Sequence, residues 1–139
     1  MRHNRDARFF GEIDHATHEA RGNNPLCGDE IRLQLQIEQG QIQALAFAGE
    51  MSAITRASAN MLCELLLRKN IAQAQAITKA AMALLRDADA NPQEQLLGEF
   101  SAMQILRQFP NRIKTATLPW AALDHALKGD KAEVSTEGD

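Results

Sequence analysis

Cysteine and aspartate stand two residues apart at Cys27-Gly28-Asp29, in a stretch opened by Asn24-Pro25-Leu26. With glycine between them on a loop, a thiolate and a carboxylate can project to the same side. There they can share a metal ion, or the carboxylate can shape the reactivity of the thiol. One Cys and one Asp are half of a tetrahedral zinc site at best. The same pattern also serves a turn whose cysteine packs as a small hydrophobe and whose aspartate caps the backbone; spacing leaves both open. The second cysteine, Cys63, falls about eleven positions into a helix that starts near Ser52, on the order of 16 Å from that start. It is too far along to join Cys27, and its expected role is packing. Of the four histidines (His3, His15, His18, His125), His15 and His18 are three apart. On a helix they would share a face that could in principle hold a metal, although a solvated face is the commoner arrangement.

The elements that must position these groups follow from periodicity. Ala7, Phe10, Ile13 and Ala16 have helical spacing and predict a short N-terminal helix over 4–19. A Gly/Asn/Pro loop over 21–29 carries the Cys-Gly-Asp stretch. Ile31, Leu33, Leu35 and Ile37 then alternate with polar residues, as in a half-buried strand. Glu38-Gln39-Gly40-Gln41 reads as a hairpin turn, and Ile42–Ala48 as the returning strand. After Gly49 the period becomes helical. Helices are predicted over 52–68, 71–86, 92–108 and 112–127, the third with Asn91 as N-cap and Pro92 in its first turn. Pro119 lies inside the fourth. It removes the donor for the carbonyl of Thr115, so a kink or break is expected near Thr117–Pro119, with the helix restarting on Pro119 and Thr117 helping to cap it. The predicted fold class is α+β, with a small antiparallel hairpin sheet packed against several helices. A single domain is expected over 1–128, followed by a disordered tail over 129–139.

Composition narrows the function classes. The chain has 139 residues, 45% of them hydrophobic and only 4% aromatic, which predicts one domain with an aliphatic core. A formal net charge of −3 gives no general attraction to nucleic acid or anionic lipid, despite the cluster of Arg2, His3, Arg5 and Arg8. No apolar run approaches the roughly 18 residues of a membrane span. The basic start lacks the apolar stretch of a secretory signal, and two cysteines do not make a disulfide framework. The expectation is a protein of the reducing cytoplasm with neither nucleic-acid nor membrane partners.

Three segments carry a resemblance. NPLCGDEIRLQLQIEQGQI resembles the first ligand loop and hairpin of IscU and SufU scaffolds, in which Cys-Gly-Asp precedes a strand. AFAGEMSAITRASANM resembles the segment in which a strand ends in Gly-x-Gly-Cys and a helix opens with an Ala-Ser-rich turn. FPNRIKTATLPWAAL resembles the late Arg-Ile-Lys-Cys-Ala-Thr-Leu-x-Trp segment. In order, over residues 9–127, the chain is similar to the IscU/SufU/NifU N-terminal family of iron–sulfur cluster assembly proteins.

The resemblance implies a site at one end of the domain, where three cysteines and an aspartate converge on zinc or a nascent cluster. Cys27 and Asp29 match the first cysteine and the aspartate. Met51 is read at the second cysteine, with Glu50 at the preceding glycine, and Thr115 at the third. Lys114 stands where IscU has a histidine, as in SufU-like members. Phe109–Lys114 occupies the region of the Leu-Pro-Pro-Val-Lys segment that IscU offers its chaperone. A thioether and a hydroxyl are poor substitutes for thiolates on zinc, and a [2Fe–2S] cluster wants four strong ligands. Cys27 and Asp29 are therefore expected to be a remnant site with no tightly bound cofactor, weak zinc, iron or an iron–sulfur cluster at most. The SufE sulfur acceptors share the fold and also use one cysteine in this loop. The resemblance thus implies an accessory protein of iron–sulfur assembly, more a scaffold or sulfur acceptor than an enzyme. It would accept or relay persulfide sulfur from a cysteine desulfurase through Cys27, its partners being that desulfurase and other assembly proteins. Two alternatives stand beside it: a scaffold whose metal site is completed by a partner or a second subunit, and a non-catalytic regulatory or interaction module.

Overall fold

The structure is a computed structural model that describes residues 8–129 and the backbone of residues 134–135. Three antiparallel strands, β1 (His18–Asn24), β2 (Asp29–Glu38) and β3 (Gln41–Ala48), form the sheet. A two-residue strand, β4 (Val134–Ser135), pairs parallel to β1, which gives the order β3-β2-β1-β4. Helices α1 (Ala53–Leu66), α2 (Ile71–Arg86), α3 (Glu94–Leu97) and α4 (Pro110–Leu127) follow, with a 3₁₀ segment, Gly98–Gln108, before α4. This is the α+β architecture expected from the change of period after Gly49. The rest of the tail beyond Gly129 lies outside the described residues.

The β2–β3 hairpin forms where alternation predicted it. Gln39 and Gly40, both at positive φ, make the two-residue turn whose twist matches that of the strands. Ile31, Leu33 and Leu35 turn to the buried face, where α4 lies across β1 and β2 and also packs against α1 and α2. Trp120 of α4 is fully buried, with Phe100 edge-on at 5.1 Å. Helices α1 and α2 are capped as their sequences suggest. Ser52 accepts from the Thr55 N–H, and Asn70 and Gln73 exchange bonds in a capping box.

Several expectations are corrected. Among residues 8–17 there is no helix. Phe9 and Gly11 bond instead to the backbone of Phe47 on β3, Thr17 bonds to Leu35, and His18–Asn24 is a strand. Phe9 is buried and Phe10 meets Phe47 edge-on at 5.6 Å, so the apolar residues serve the sheet rather than one helix face. Residues 4–7 of the predicted helix lie outside the described residues. His15 and His18 consequently share no helix face. His15 is exposed in a turn, and His18 Nδ1 lies 2.8 Å from the Thr17 hydroxyl. The predicted third helix is one α-helical turn followed by 3₁₀ structure, and it opens on Gln93 without a side-chain cap rather than on Asn91.

The fourth helix starts at Pro110 and runs unbroken through Pro119; it does not restart there. The carbonyl that Pro119 deprives of its partner is approached by the Thr55 hydroxyl of α1 at 3.3 Å. Beside it, Ser58 of α1 donates to the carbonyl of Ala116 at 2.6 Å. Thr117 caps nothing, because its hydroxyl donates back to Ile113 at 2.6 Å. Hydroxyls three residues apart on α1 thus face the carbonyls around the proline. Ser58 makes a full bond to Ala116, and Thr55 a weaker one to Thr115 because its proton is shared with Asp29, and the helix runs on without a break.

Candidate functional site: a hairpin-tip thiol above a closed corner

Cys27 sits at the tip of the β1–β2 hairpin. Asn24 and Asp29 are the last paired residues, and Pro25-Leu26-Cys27-Gly28 form the loop between them. The loop is a pair of overlapping turns, from the Cys27 N–H to the Asn24 carbonyl at 3.1 Å and from the Gly28 N–H to the Pro25 carbonyl at 3.3 Å. Gly28 has a φ of +71, in the left-handed region that glycine reaches without strain. All four loop residues are exposed, the thiol-bearing one included. Leu26, beside it, is 68% exposed.

Asp29, two residues on, has the opposite environment. It is 1% exposed, and both carboxylate oxygens are engaged. Oδ1 accepts from the Ser52 N–H at 2.7 Å and Oδ2 from the Thr55 hydroxyl at 2.8 Å. The sequence brings Ser52 here through Gly49. At that residue the chain leaves β3 with a φ of +134 and passes so close to β2 that a Cβ would overlap the Glu30 carbonyl oxygen. The Glu30 N–H then donates to the Glu50 carbonyl at 2.7 Å, which fixes the crossing and delivers Ser52 to Asp29.

Of the residues picked out by sequence, the structure gathers Asp29 and Thr115 into one corner, with the Thr55 hydroxyl between them. Met51 is not part of it: its side chain packs, partly buried, against the hydrophobic core. The residue facing Asp29 is Ser52. Counting Gly-x-Gly-Cys from Gly49 gives the same answer, since it places the glycine at Met51 and the cysteine at Ser52. Read in that register, the family's second cysteine matches Ser52 and not Met51, and that signal was present in the sequence. Thr55, which no motif singled out, is the link between Asp29 and α4. Cys63 is fully buried inside α1, and desolvation pushes its thiol well above the ordinary cysteine range, so it stays a neutral packing group.

The residues present do not fit a tightly held zinc ion or cluster. Two of the ligand positions carry hydroxyls, and the Thr115 hydroxyl donates to the Arg112 carbonyl of its own helix at 2.9 Å. Both oxygens of Asp29 are already bonded within the protein. Among the described residues, no three of His, Cys, Asp or Glu stand together as a metal-binding group.

A helix-backed antiparallel sheet that presents a thiol on a hairpin tip, next to a carboxylate, defines a class. The family model described as the NifU-like N terminal domain matches residues 1–116, and the chain belongs to that family. It is 32% identical over 126 residues to the iron–sulfur cluster assembly scaffold protein IscU of Streptococcus pyogenes, covering 91% of this chain and 78% of that protein. It is 35% identical over 105 residues to the zinc-dependent sulfurtransferase SufU of Bacillus subtilis, covering 76% and 71%. Among solved structures, a SufU from the thermophilic Fervidobacterium islandicum superposes with a TM-score of 0.84 at 29% identity over 90% of each chain. The N-terminal domain of a NifU-like protein from Brucella abortus superposes at 0.78 with 17% identity, which speaks to the fold alone.

Proposed function

We propose that this chain acts in iron–sulfur cluster assembly by accepting or relaying persulfide sulfur through Cys27, with a cysteine desulfurase as donor. The observation that carries this reading is the contrast within the inherited site. Its one remaining thiol stands exposed on a hairpin tip, while the other positions have become hydroxyls bonded into the fold. The relatives' names supply the context: one is an assembly scaffold and another a sulfurtransferase.

The step needs only a thiolate with access. Cys27 Sγ, deprotonated, attacks the terminal sulfur of the donor's persulfide. A new S–S bond forms to Cys27, the donor's S–S bond breaks, and the donor cysteine leaves as a thiolate. One sulfane sulfur moves and there is no net oxidation or reduction. The exposed four-residue loop lets a second protein's cysteine approach in line, and Gly28 keeps the approach uncrowded. Zinc or an iron–sulfur cluster enters no step, because the donor set does not suit either.

The test is sulfur transfer from radiolabelled cysteine in the presence of a desulfurase. The protein should acquire reductant-labile label, and Cys27→Ser should acquire none. Equal labelling of Cys27→Ser, or no label on the native protein with a desulfurase that binds it, would refute the proposal.

A further inference from the structure

We infer that Asp29 is a positioning clasp for the Cys27 hairpin in this chain, not a ligand. Its carboxylate pins the hairpin stem to the start of α1 and, through Thr55, to α4. Three features carry the inference. First, both oxygens of a side chain 1% exposed are bonded to α1, one to the Ser52 backbone and one to the Thr55 hydroxyl. Second, α1 has no acidic residue in its own first turn, so Asp29 supplies from another element the negative charge that a helix N-terminus favours. Third, the same Thr55 hydroxyl reaches the Thr115 carbonyl, the acceptor that Pro119 leaves without its helical donor. A hydroxyl has one proton, so the bond is three-centred and unequal: short to the carboxylate at 2.8 Å and weak to the carbonyl at 3.3 Å.

The consequence for Cys27 is mechanical. Asp29 is the first paired residue of β2 opposite Asn24, and the four loop residues follow from that pair. Fixing Asp29 fixes the base of the tip and leaves only the loop free to meet a partner. As a statement about sulfur transfer this rests on the proposed function; as a statement about the corner it does not.

Asparagine separates a clasp from a ligand. In Asp29→Asn the carbonyl oxygen still accepts from Ser52. The amide nitrogen can donate to the Thr55 oxygen, which sends the Thr55 proton to the Thr115 carbonyl. A hydrogen-bonded clasp survives this exchange, whereas a metal carboxylate does not. The experiment uses the full chain. Thermal unfolding and amide hydrogen exchange are measured on the native protein, Asp29→Ala and Asp29→Asn, each with EDTA and with one equivalent of zinc. Asp29→Ala should lower Tm by about 5–10 °C and strip exchange protection from the Ser52 and Cys27 amides. Asp29→Asn should restore most of both, and neither zinc nor EDTA should move any Tm. If Asp29→Ala fails to fold, Thr55→Val reads the same contact with about half the loss, and Thr55→Ser restores it. Equal damage from Asn and Ala would overturn the clasp, as would a zinc-dependent rise in native Tm that Asp29→Asn abolishes. Loss of sulfur transfer to Cys27 in the native protein would sink the proposed function and leave these outcomes unchanged, so the two failures are distinguishable.

Discussion

The two cysteines of this chain carry the same group into opposite settings. Cys27 is on a hairpin tip with its loop open to solvent, whereas Cys63 is fully buried in α1 among aliphatic neighbours. The tip is held at its base by Asp29 and exposed across four residues, which suits a thiol that must meet another protein. The interior of α1 excludes water, so its thiol cannot ionise cheaply and behaves as a small apolar side chain. Nucleophilic sulfur in this protein is therefore a matter of placement.

The largest expected effect tests that contrast directly. In the folded protein Cys27 should alkylate faster than Cys63 by about a thousandfold or more, because Cys63 reacts only through opening of the core. Comparable rates measured by mass spectrometry, under conditions where circular dichroism shows the native fold, would break the comparison. Next comes the closed corner. Ser52→Cys with Thr115→Cys should give a protein that holds about one equivalent of zinc, where the native chain is expected to hold well under one. Met51→Cys with Thr115→Cys should not, since Met51 faces the core. Equilibrium zinc titration checks both pairs, and binding by the Met51 pair alone would restore the other register.

The smallest effect is a pH dependence. Burial holds the Cys63 thiol protonated in the folded state above its ordinary value of 9.0. Its contribution to stability is complete below that value and falls as pH rises beyond it, because only the unfolded chain then releases the proton. The fall is at most about 1.4 kcal/mol per pH unit. Urea denaturation of native and Cys63→Ala proteins should therefore diverge in slope above pH 9 and run parallel below pH 8. Parallel curves throughout would mean that Cys63 is less enclosed than the structure shows.

Much of the scaffold was legible because the hydrophobic pattern had one interpretation. Ile31 to Ile37 alternate, Gln39-Gly40 suits a tight turn, and Ile71–Arg86 has a continuous helical face with a capping residue before it. The N-terminal segment was not legible. Phe9 and Phe10 fit a helical stripe as well as they fit a chain laid along β3. In β1 the buried positions Ala20, Gly22 and Asn24 alternate, but they are small or polar and propensity does not flag them. Pro119 announced a break that did not occur because Thr55 and Ser58, more than fifty residues away, supply hydrogen bonds no local rule can see. At the site, Cys27, Asp29 and Thr115 could be read from motifs. Ser52 was missed by one residue in a motif that named it, and Thr55 carries no motif signal at all.

Native mass spectrometry tests the central claim most directly, on protein incubated with a cysteine desulfurase, cysteine and one equivalent of zinc, followed by peptide mapping. A tip thiol above a closed corner predicts the mass of added sulfur on the Cys27 peptide, none on the Cys63 peptide, and no stoichiometric metal adduct that survives a chelator. A chelator-resistant zinc adduct on protein that acquires no sulfur at Cys27 would contradict it.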